Sequence, residues 1–286
     1  MTISFLDVCF AYENFGSPSP NAPRPQLREL NFQISAHEFV AIVGRSGSGK
    51  STLLQMFNGL LPPARGEILV EGQNIHAKSY DLAALRRRIG LVFQFPEMQL
   101  FAATVREDIG FAPEQQKLSV AEIEKRTRQA LAQTGLPEKF LARNPLTLSE
   151  GEKRRVAFAG ILAMQPEMLV LDEPTASLDA AGVDEAKALF RQWHCSDKGI
   201  VIISHDADLV AELAQRVLVL HEGAIIFDGS PQELWSDEPE GRALCARAGL
   251  ATPRATRLQH LLARRGWEKF IAFHALLFYC QAAFIS

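Results

Sequence analysis

The apolar residues at the start of the chain repeat with a period of two. Ile3 and Phe5 fall on one face, and Ser4 and Leu6 fall on the other. This alternation predicts a β-strand that ends near Tyr12. The segment that follows contains four prolines within eight residues. Because proline has no backbone N–H to donate to a sheet, this segment is predicted to be a loop.

Continuous apolar runs farther along the chain indicate strands that are buried on both faces. The clearest run is Phe39–Val43, with the sequence FVAIV. Further buried strands are predicted at residues 89–93, 168–171, 200–203 and 217–220, and residues 30–35 are also predicted to form a strand. Helical stretches are predicted at residues 50–60, 120–134, 151–164 and 183–193. Because buried strands alternate with helices, the pattern predicts an α/β fold with a parallel sheet covered on both faces.

Two segments depart from this strand–helix alternation. Residues 94–164 are mostly helical and interrupt the series of strands, which predicts a helical subdomain. After the last buried strand, His221, Glu222 and Gly223 form a turn into residues 224–227, which predicts a terminal hairpin.

Composition limits the classes of function that remain. The 286 residues include 30 basic and 33 acidic side chains, a formal net charge of −3. A nucleic-acid-binding protein normally carries a basic excess, so we expect no nucleic-acid partner. The four cysteines are widely separated and form no CxxC pair, which favours reduced thiols in a cytosolic protein over a zinc site or a disulfide framework.

A phosphate-binding motif lies between a predicted buried strand and a predicted helix, the context that such a loop requires. It fits GxxxxGK[ST] and consists of Gly44, Arg45, Ser46, Gly47, Ser48, Gly49, Lys50 and Ser51. Glycines let backbone N–H groups converge on phosphates, and the following helix directs its positive end at them. Lys50 is predicted to bridge the β- and γ-phosphates and Ser51 to hold Mg²⁺. Thr52 completes the predicted nucleotide-binding residues.

A pair of carboxylates follows another apolar strand. Asp172 and Glu173 end the run MLVLDE. Acids often end strands merely to meet solvent, but a phosphate-binding loop in the same chain favours a catalytic interpretation. Asp172 is predicted to coordinate Mg²⁺, directly or through water, and Glu173 to act as general base toward the attacking water.

A third motif makes the pattern specific. The sequence LSEGE, residues 148–152, precedes a helix and resembles the LSGGQ signature of ABC ATPases. By itself Ser149 with Glu152 is also an ordinary capping box. The surrounding order of motifs, however, matches the same family: the phosphate-binding loop, Gln94 after a strand, the signature, the two carboxylates, then residues 177–179 and His205. The resemblance covers roughly residues 1–230.

The resemblance to ABC ATPases implies a fold and a domain organisation. It implies an α/β P-loop NTPase core of the RecA-like kind with a mostly parallel sheet, an N-terminal antiparallel β part and a helical subdomain at about residues 94–164. We therefore expect an ATP-binding domain over residues 1–230. Residues 231–286 are expected to form a small helical C-terminal extension, with a role in dimerisation or membrane association.

The same resemblance implies roles for further residues. Two chains are expected to enclose two ATP molecules head to tail, so that Ser149 and Gly151 contact the ATP of the partner chain. Tyr12 is expected to stack on adenine, although a core aromatic is the alternative. Gln94 is expected to touch Mg²⁺ or the water, and His205 to contact the γ-phosphate and position that water.

One stretch points to a subfamily. Residues 94–101, QFPEMQLF, resemble the Q-N-P-x-x-Q-[IL]-F block of energy-coupling-factor transporter ATPases, which import vitamins, cobalt and nickel. Phe95 departs from the usual asparagine of that block. The resemblance implies integral membrane transport subunits as partners and a peripheral location at the cytoplasmic face of the cell membrane.

Glu150 is the departure from the family pattern with the clearest chemical consequence, because the family usually has glycine there. A carboxylate beside a γ-phosphate repels it in a site partly shielded from water. Since this signature faces the ATP of the other chain, we hypothesise pairing with a second, different ATPase subunit. A heterodimer is slightly favoured over a homodimer.

The C-terminal tail allows three interpretations. Residues 270–285 carry no charge and are apolar almost all round at helical spacing. A helix packed in a dimerisation region is preferred, followed by an interfacial anchor next to basic residues. A membrane span comes last, because the run is short and contains His274 and Gln281.

Two other functions compete with a transport motor. A soluble ABC ATPase acting on DNA or ribosomes would need long heptad arms or two cassettes, and the sequence has neither. A P-loop kinase of a small metabolite would explain Lys50 but not the signature or His205. The sequence therefore predicts an ATPase coupled to solute import.

Overall fold

The structure is a computed structural model that describes residues 1–12, 26–176, 178–263 and 265. Its strands are β1 (Thr2–Phe10), β2 (Leu27–Ser35), β3 (Phe39–Val43), β4 (Arg65–Val70), β5 (Gln73–Asn74), β6 (Ile89–Val92), β7 (Met168–Asp172), β8 (Gly199–Ile203), β9 (Arg216–His221) and β10 (Ala224–Gly229). Its helices are α1 (Lys50–Met56), α2 (Leu82–Arg88), α3 (Val105–Gln115), α4 (Val120–Gln133), α5 (Glu150–Ala163), α6 (Ala180–Cys195), α7 (Ala207–Leu213), α8 (Pro231–Leu234), α9 (Pro239–Ala248) and α10 (Arg254–Ala263).

The larger sheet has six strands in the order β10-β9-β3-β8-β7-β6. The five strands from β9 to β6 are parallel, and only β10 pairs antiparallel, as a hairpin with β9. Parallel neighbours place all their carboxyl ends at one edge of the sheet. The groups that follow β3, β6, β7 and β8 are therefore brought to the same side of the molecule.

The smaller sheet is antiparallel, with four strands in the order β2-β1-β4-β5. In β1 the pairing shifts register after Phe5 on the side of β2 and after Leu6 on the side of β4. Asp7 takes a left-handed conformation there, with φ 49°. Gly66 lies opposite, and a Cβ at that position would come within 2.3 Å of the Asp7 carbonyl oxygen, so the bulge requires a glycine on the neighbouring strand.

Alternate side chains of β3 enter two separate hydrophobic clusters, as the pleat of a strand requires. Phe39, Ala41 and Val43 pack with the helices that follow β6. Val40 and Ile42 pack with α1 and with the antiparallel sheet. The predicted α/β class, with a mostly parallel sheet covered on both faces and an antiparallel β part, is confirmed.

Element boundaries differ from the predictions in two informative places. The helix predicted for residues 50–60 ends at Met56. Gly59 takes a left-handed conformation (φ 67°), and its N–H donates to the Met56 carbonyl, so the chain turns away from the helix axis there. Strand β4 was not predicted, since its first three residues are exposed and polar or glycine. Its strand conformation depends on pairing with β1.

Some sequence-based expectations fall outside the described residues. These are the proline-rich loop, Ser177 and the apolar segment 270–285. Within the described part of the chain, no helix is both long enough and apolar enough to cross a bilayer.

Candidate active site

The phosphate-binding loop joins β3 to α1 at the carboxyl edge of the larger sheet. Gly44 passes so close to β9 that a Cβ would lie 2.1 Å from the Leu220 carbonyl oxygen. Gly49 caps α1 with φ 105°, a conformation that favours glycine. Arg45, Ser46 and Gly47 are exposed, so this part of the loop is open to a ligand.

Ser48 is the one loop residue whose side chain is both buried and unpaired among the described residues. It is 5% exposed, and its hydroxyl has no hydrogen-bond partner there. A buried hydroxyl without a partner is costly. A loop with exposed backbone and an unsatisfied hydroxyl is suited to an anion with several acceptor oxygens.

Lys50 is the first residue of α1, and its ammonium group reaches back across the loop. Its Nζ donates to the carbonyl oxygens of Gly44 at 2.7 Å and Arg45 at 2.9 Å. Burial lowers the pKa of Lys50, and the nearby Glu173 and Asp172 carboxylates partly oppose that change. The three charged groups therefore share one electrostatic site.

Asp172 is the last residue of β7 and is 7% exposed. Burial raises the pKa of its carboxyl, and Glu173 adds to the increase. A hydrogen bond from Ser51 and the charge of Lys50 act in the opposite direction. A buried carboxylate joined to a serine hydroxyl offers the hard oxygen ligands that Mg²⁺ prefers, so these residues fit the predicted metal.

Glu173 and His205 are brought together from neighbouring strands. The His205 Nδ1 lies 2.8 Å from the Glu173 Oε2, and the Glu173 side chain is 14% exposed. Glu173 takes a left-handed conformation (φ 47°), which is uncommon for a residue with a side chain, and its N–H donates to the Ile203 carbonyl at 2.9 Å. Strained backbone of this kind concentrates at functional sites.

Gln94 lies at the same edge of the sheet as these carboxylates. Strand β6 pairs in parallel with β7, with Val92 opposite Leu171. Gln94 follows two residues after Val92 and is exposed. The register thus places Gln94 and Glu173 at the ends of adjacent strands.

Tyr12 lies beside the start of α1. Its hydroxyl is 2.9 Å from the Thr52 Oγ1, and its ring packs edge-on against Phe10. The residue is 67% exposed, so it is not the core aromatic that was the alternative interpretation. An exposed ring fastened next to the phosphate-binding loop is available for stacking.

The signature segment begins α5. Ser149 caps the helix, and the Glu152 carboxylate accepts hydrogen bonds from the Ser149 N–H at 2.8 Å and from its hydroxyl at 2.9 Å. Glu150 and Gly151 are exposed in the first helical turn. This helix end therefore carries two acidic side chains where an anion would otherwise find only N–H donors and a positive dipole.

Sequence reasoning missed Arg154, which connects three parts of the site. It forms an ion pair with Glu97 at 3.4 Å, three residues after Gln94, and its Nη1 donates to the Ala176 carbonyl at 2.7 Å. Both side chains of the pair are mostly buried, at 14% and 10% exposed. The run EKRR at residues 152–155 gave no signal of which basic residue turns inward, because that depends on how α5 packs.

The fold and this constellation define a P-loop nucleotide-binding protein of the α/β class. The sequence profile described as "ABC transporter" matches residues 27–176. The chain is 43% identical over 244 residues to the energy-coupling factor transporter ATP-binding protein EcfA2 of Clostridium tetani, covering 85% of this chain and 83% of that protein. It is 44% identical to EcfA2 of Symbiobacterium thermophilum, with the same coverage.

Solved structures show the same likeness. The structure of cbiO1 from Clostridium perfringens, described as part of the ABC transporter complex cbiONQ, has a TM-score of 0.73 and 36% identity, covering 90% of this chain and 98% of that chain. The dimeric post-hydrolysis structure of the ATP-binding cassette MJ0796, bound to ADP and Pi, has a TM-score of 0.69 and 28% identity, covering 80% and 98%. The chain belongs to the ABC transporter family, among the ATP-binding proteins of energy-coupling factor transporters.

Proposed function

We propose that this ATPase uses the site at the carboxyl edge of β3, β7 and β8 to bind ATP with Mg²⁺ and to power a membrane importer. The chain is an ATP-hydrolysing subunit of the energy-coupling-factor type. The observation that carries the proposed mechanism is the 2.8 Å contact between Glu173 and His205. This contact supports the proposal that Glu173 is the base and His205 its orienting partner, next to the phosphate-binding loop.

The chain's own residues divide the work. The backbone of residues 44–51 and the Lys50 ammonium bind the phosphates. Ser51, Asp172 and Gln94 would hold Mg²⁺, which when bound neutralises charge on the phosphate oxygens. Tyr12 is proposed to stack on the adenine, with Thr52 supporting its hydroxyl.

Glu173 acts as the general base. Its carboxylate accepts a proton from the attacking water while the water oxygen bonds to the γ-phosphorus and the bond from phosphorus to ADP breaks. His205 lies within hydrogen-bond distance of the same carboxylate, orients that carboxylate and contacts the γ-phosphate. The products are ADP and phosphate.

The partner surface is proposed to lie just after Gln94. Four large apolar side chains are exposed in this stretch: Phe95 at 48%, Met98 at 82%, Phe101 at 66% and Phe111 at 43%. Phe101 and Phe111 pack edge to face, 5.0 Å between ring centres. Such a patch, joined to a residue at the γ-phosphate, suits a helix of an integral membrane subunit. The chain is accordingly proposed to lie peripherally at the cytoplasmic face and to power the import of a vitamin or a transition-metal ion.

A second ATPase subunit is proposed to complete each site. Ser149 and Gly151 lie at an exposed helix end and would close over the ATP of the partner chain. Because Glu150 adds a negative charge there, a heterodimer is slightly favoured over a homodimer. No nucleic-acid partner is proposed.

The test is the Glu173→Gln variant, which keeps the shape of the side chain and removes the base. We expect ATP hydrolysis to fall at least about 100-fold, with binding of a fluorescent ATP analogue retained. Glu240→Gln, an exposed glutamate of α9, is the matched control and should hydrolyse ATP like the unsubstituted chain. Hydrolysis by Glu173→Gln at the control rate would refute the assignment of the base.

The transport role is tested by purifying the chain from detergent-solubilised membranes, where we expect integral membrane subunits to co-purify. Recovery of the chain without any integral membrane protein would refute the transport role.

A further inference from the structure

The C-terminal extension touches the phosphate-binding loop through Gly249. This residue follows the last residue of α9 and caps it in a left-handed conformation, φ 63°. A Cβ at this position would lie 2.0 Å from the Arg45 Nε and 2.8 Å from its Cζ. The side chain of Arg45 therefore lies directly on the backbone at the end of α9. The carbonyl end of a helix carries partial negative charge, which favours a guanidinium there.

A second contact joins the extension to the helix that follows His205. The backbone N–H of Arg254 donates to the Asp208 Oδ1 at 2.6 Å, and the Arg254 Nε lies 3.3 Å from the Asp208 Oδ2. Asp208 is the second residue of α7 and lies three residues after His205. The start of α7 is thus fastened to the extension.

The residues between these two contacts are held in place. The Trp235 Nε1 donates to the Ala251 carbonyl at 3.0 Å, and the Trp235 ring is 4% exposed. The Leu250 N–H donates to the Cys245 carbonyl at 2.9 Å, and Pro253 is buried. A movement of the extension would therefore be transmitted to both ends of the segment.

We infer that residues 249–254 are a positioning segment for the nucleotide site, an inference that rests on the proposed function. Gly249 sets the place of the Arg45 side chain and so of the loop that binds the phosphates. Asp208, through Arg254, sets the start of α7 and so of His205. Neither Gly249 nor Asp208 reaches the reacting atoms. Displacing Arg45 should weaken ATP binding, whereas loosening α7 should slow the chemical step.

The first test compares Gly249→Ala with Gly135→Ala. Gly135 follows α4 with φ 72°, and a Cβ there would meet nothing within 4 Å. Both variants place a side chain on a residue with left-handed backbone, but only the Cβ of Gly249→Ala would collide with Arg45. We expect the KM for ATP to rise at least about threefold in Gly249→Ala relative to Gly135→Ala, with kcat little changed. Should Gly249→Ala fold poorly, Gly249→Asn adds the same Cβ in a residue that tolerates this conformation.

The second test compares Asp208→Ala with Asp208→Asn. The asparagine keeps an acceptor for the Arg254 N–H, whereas alanine removes it. We expect Asp208→Ala to lower kcat at least about threefold at unchanged KM, and Asp208→Asn to recover most of the loss. Arg242→Gln, which breaks the Arg242–Asp237 pair within the extension, is the control for general loosening and should leave kcat unchanged.

The outcomes separate this inference from the proposed function. A KM for Gly249→Ala equal to or below that of Gly135→Ala overturns the role of Gly249. An unchanged kcat in Asp208→Ala, or the same loss in Arg242→Gln, overturns the role of Asp208. If the unsubstituted chain neither binds nor hydrolyses ATP, the proposed function itself fails.

Discussion

At the scale of one residue, Asp172 shows how a proposed metal-ligand position can lower stability. It is almost fully buried, and burial together with Glu173 raises the pKa of its carboxyl despite the opposing effects of Ser51 and Lys50. The folded chain therefore holds a proton on Asp172 to a higher pH than the unfolded chain does. If Asp172 holds Mg²⁺ as proposed, it must be ionised, and the fold would then keep a carboxylate in surroundings that disfavour its charge.

This conflict predicts a pH-dependent effect of Asp172→Asn on the chain without nucleotide or metal. Since the folded pKa is raised, the free energy of unfolding falls as pH rises from the unfolded pKa through the folded one. The amide escapes that loss, so Asp172→Asn should melt about 2 °C or more above the unsubstituted chain at neutral pH. The difference should vanish in acid below the unfolded pKa.

Thermal unfolding followed by circular dichroism across this pH range measures the effect. Asp184→Asn, at an exposed position of α6, is the control and should show no such trend. A melting temperature for Asp172→Asn that stays below the unsubstituted chain at every pH would contradict the prediction.

At the scale of elements, the packing of β6 depends on Gly90. A Cβ there would lie 2.7 Å from the Ile161 Cγ2 of α5 and 3.0 Å from both the Leu169 Cδ2 and the Pro166 Cγ. The absence of a side chain lets α5 lie close against the strand that leads to Gln94. Two motifs far apart in sequence, Gln94 and the signature, thereby lie on or next to elements that pack directly against each other.

Gly90→Ala is expected to destabilise the chain by about 1–3 kcal/mol through overpacking. Gly110, in α3, is the matched control, because a Cβ there would meet its neighbours at 3.4 Å or more. Gly110→Ala should leave stability unchanged or raise it by about 0.5–1 kcal/mol, since alanine favours helix over glycine. Urea unfolding measures the stability of both variants. Equal unfolding midpoints for Gly90→Ala and Gly110→Ala would show that the space beside Gly90 is not filled.

At the scale of the whole molecule, the two surfaces proposed to contact ATP, the phosphate-binding side and the start of α5, differ in charge. The first carries Lys50, Glu173 and His205 together. The second, the start of α5, carries exposed Glu150, while Glu152 occupies both donors of Ser149. A pair of identical chains would place this acidic helix end against both nucleotides.

Glu150→Gly is therefore expected to raise the ATPase rate of the purified homodimer at least about threefold, because it removes a like charge from a partly shielded site. Glu150→Gln keeps the bulk and removes the charge, so it should recover most of the same gain. Steady-state phosphate release at saturating ATP measures the rates. Equal rates for all three chains would discard the argument for a heterodimer.

Much of the fold could be predicted from local patterns. Five of the six strands of the larger sheet were predicted from apolar runs, because strands buried on both faces must be apolar throughout. The sixth, β10, was predicted from the hairpin turn that precedes it. Strand β4 and the early end of α1 could not be predicted this way. Strand β4 depends on pairing with β1, which is remote in sequence, and α1 ends early because of the left-handed turn at Gly59, which the apolar pattern does not register.

The candidate site divides in the same way. The phosphate-binding loop and the Asp172–Glu173 pair are contiguous and have a recognisable spacing, whereas His205 was predicted only through resemblance to a family. Packing decides that the Glu173 carboxylate contacts His205. It also decides that Arg154 turns inward and pairs with Glu97. These contacts join residues 32 and 57 positions apart.

By itself the sequence determined the α/β class, the phosphate-binding motif, the paired acids and the acidic segment that resembles a signature, because each consists of neighbouring residues that can be recognised without the rest of the chain. Only the tertiary structure decided which distant groups meet. The parallel arrangement of the strands brings the carboxyl ends of β3, β6, β7 and β8 to one edge of the sheet. The packing of α9 brings Gly249 against the Arg45 side chain. Such meetings follow from the path of the whole chain, and no local pattern of residues encodes them.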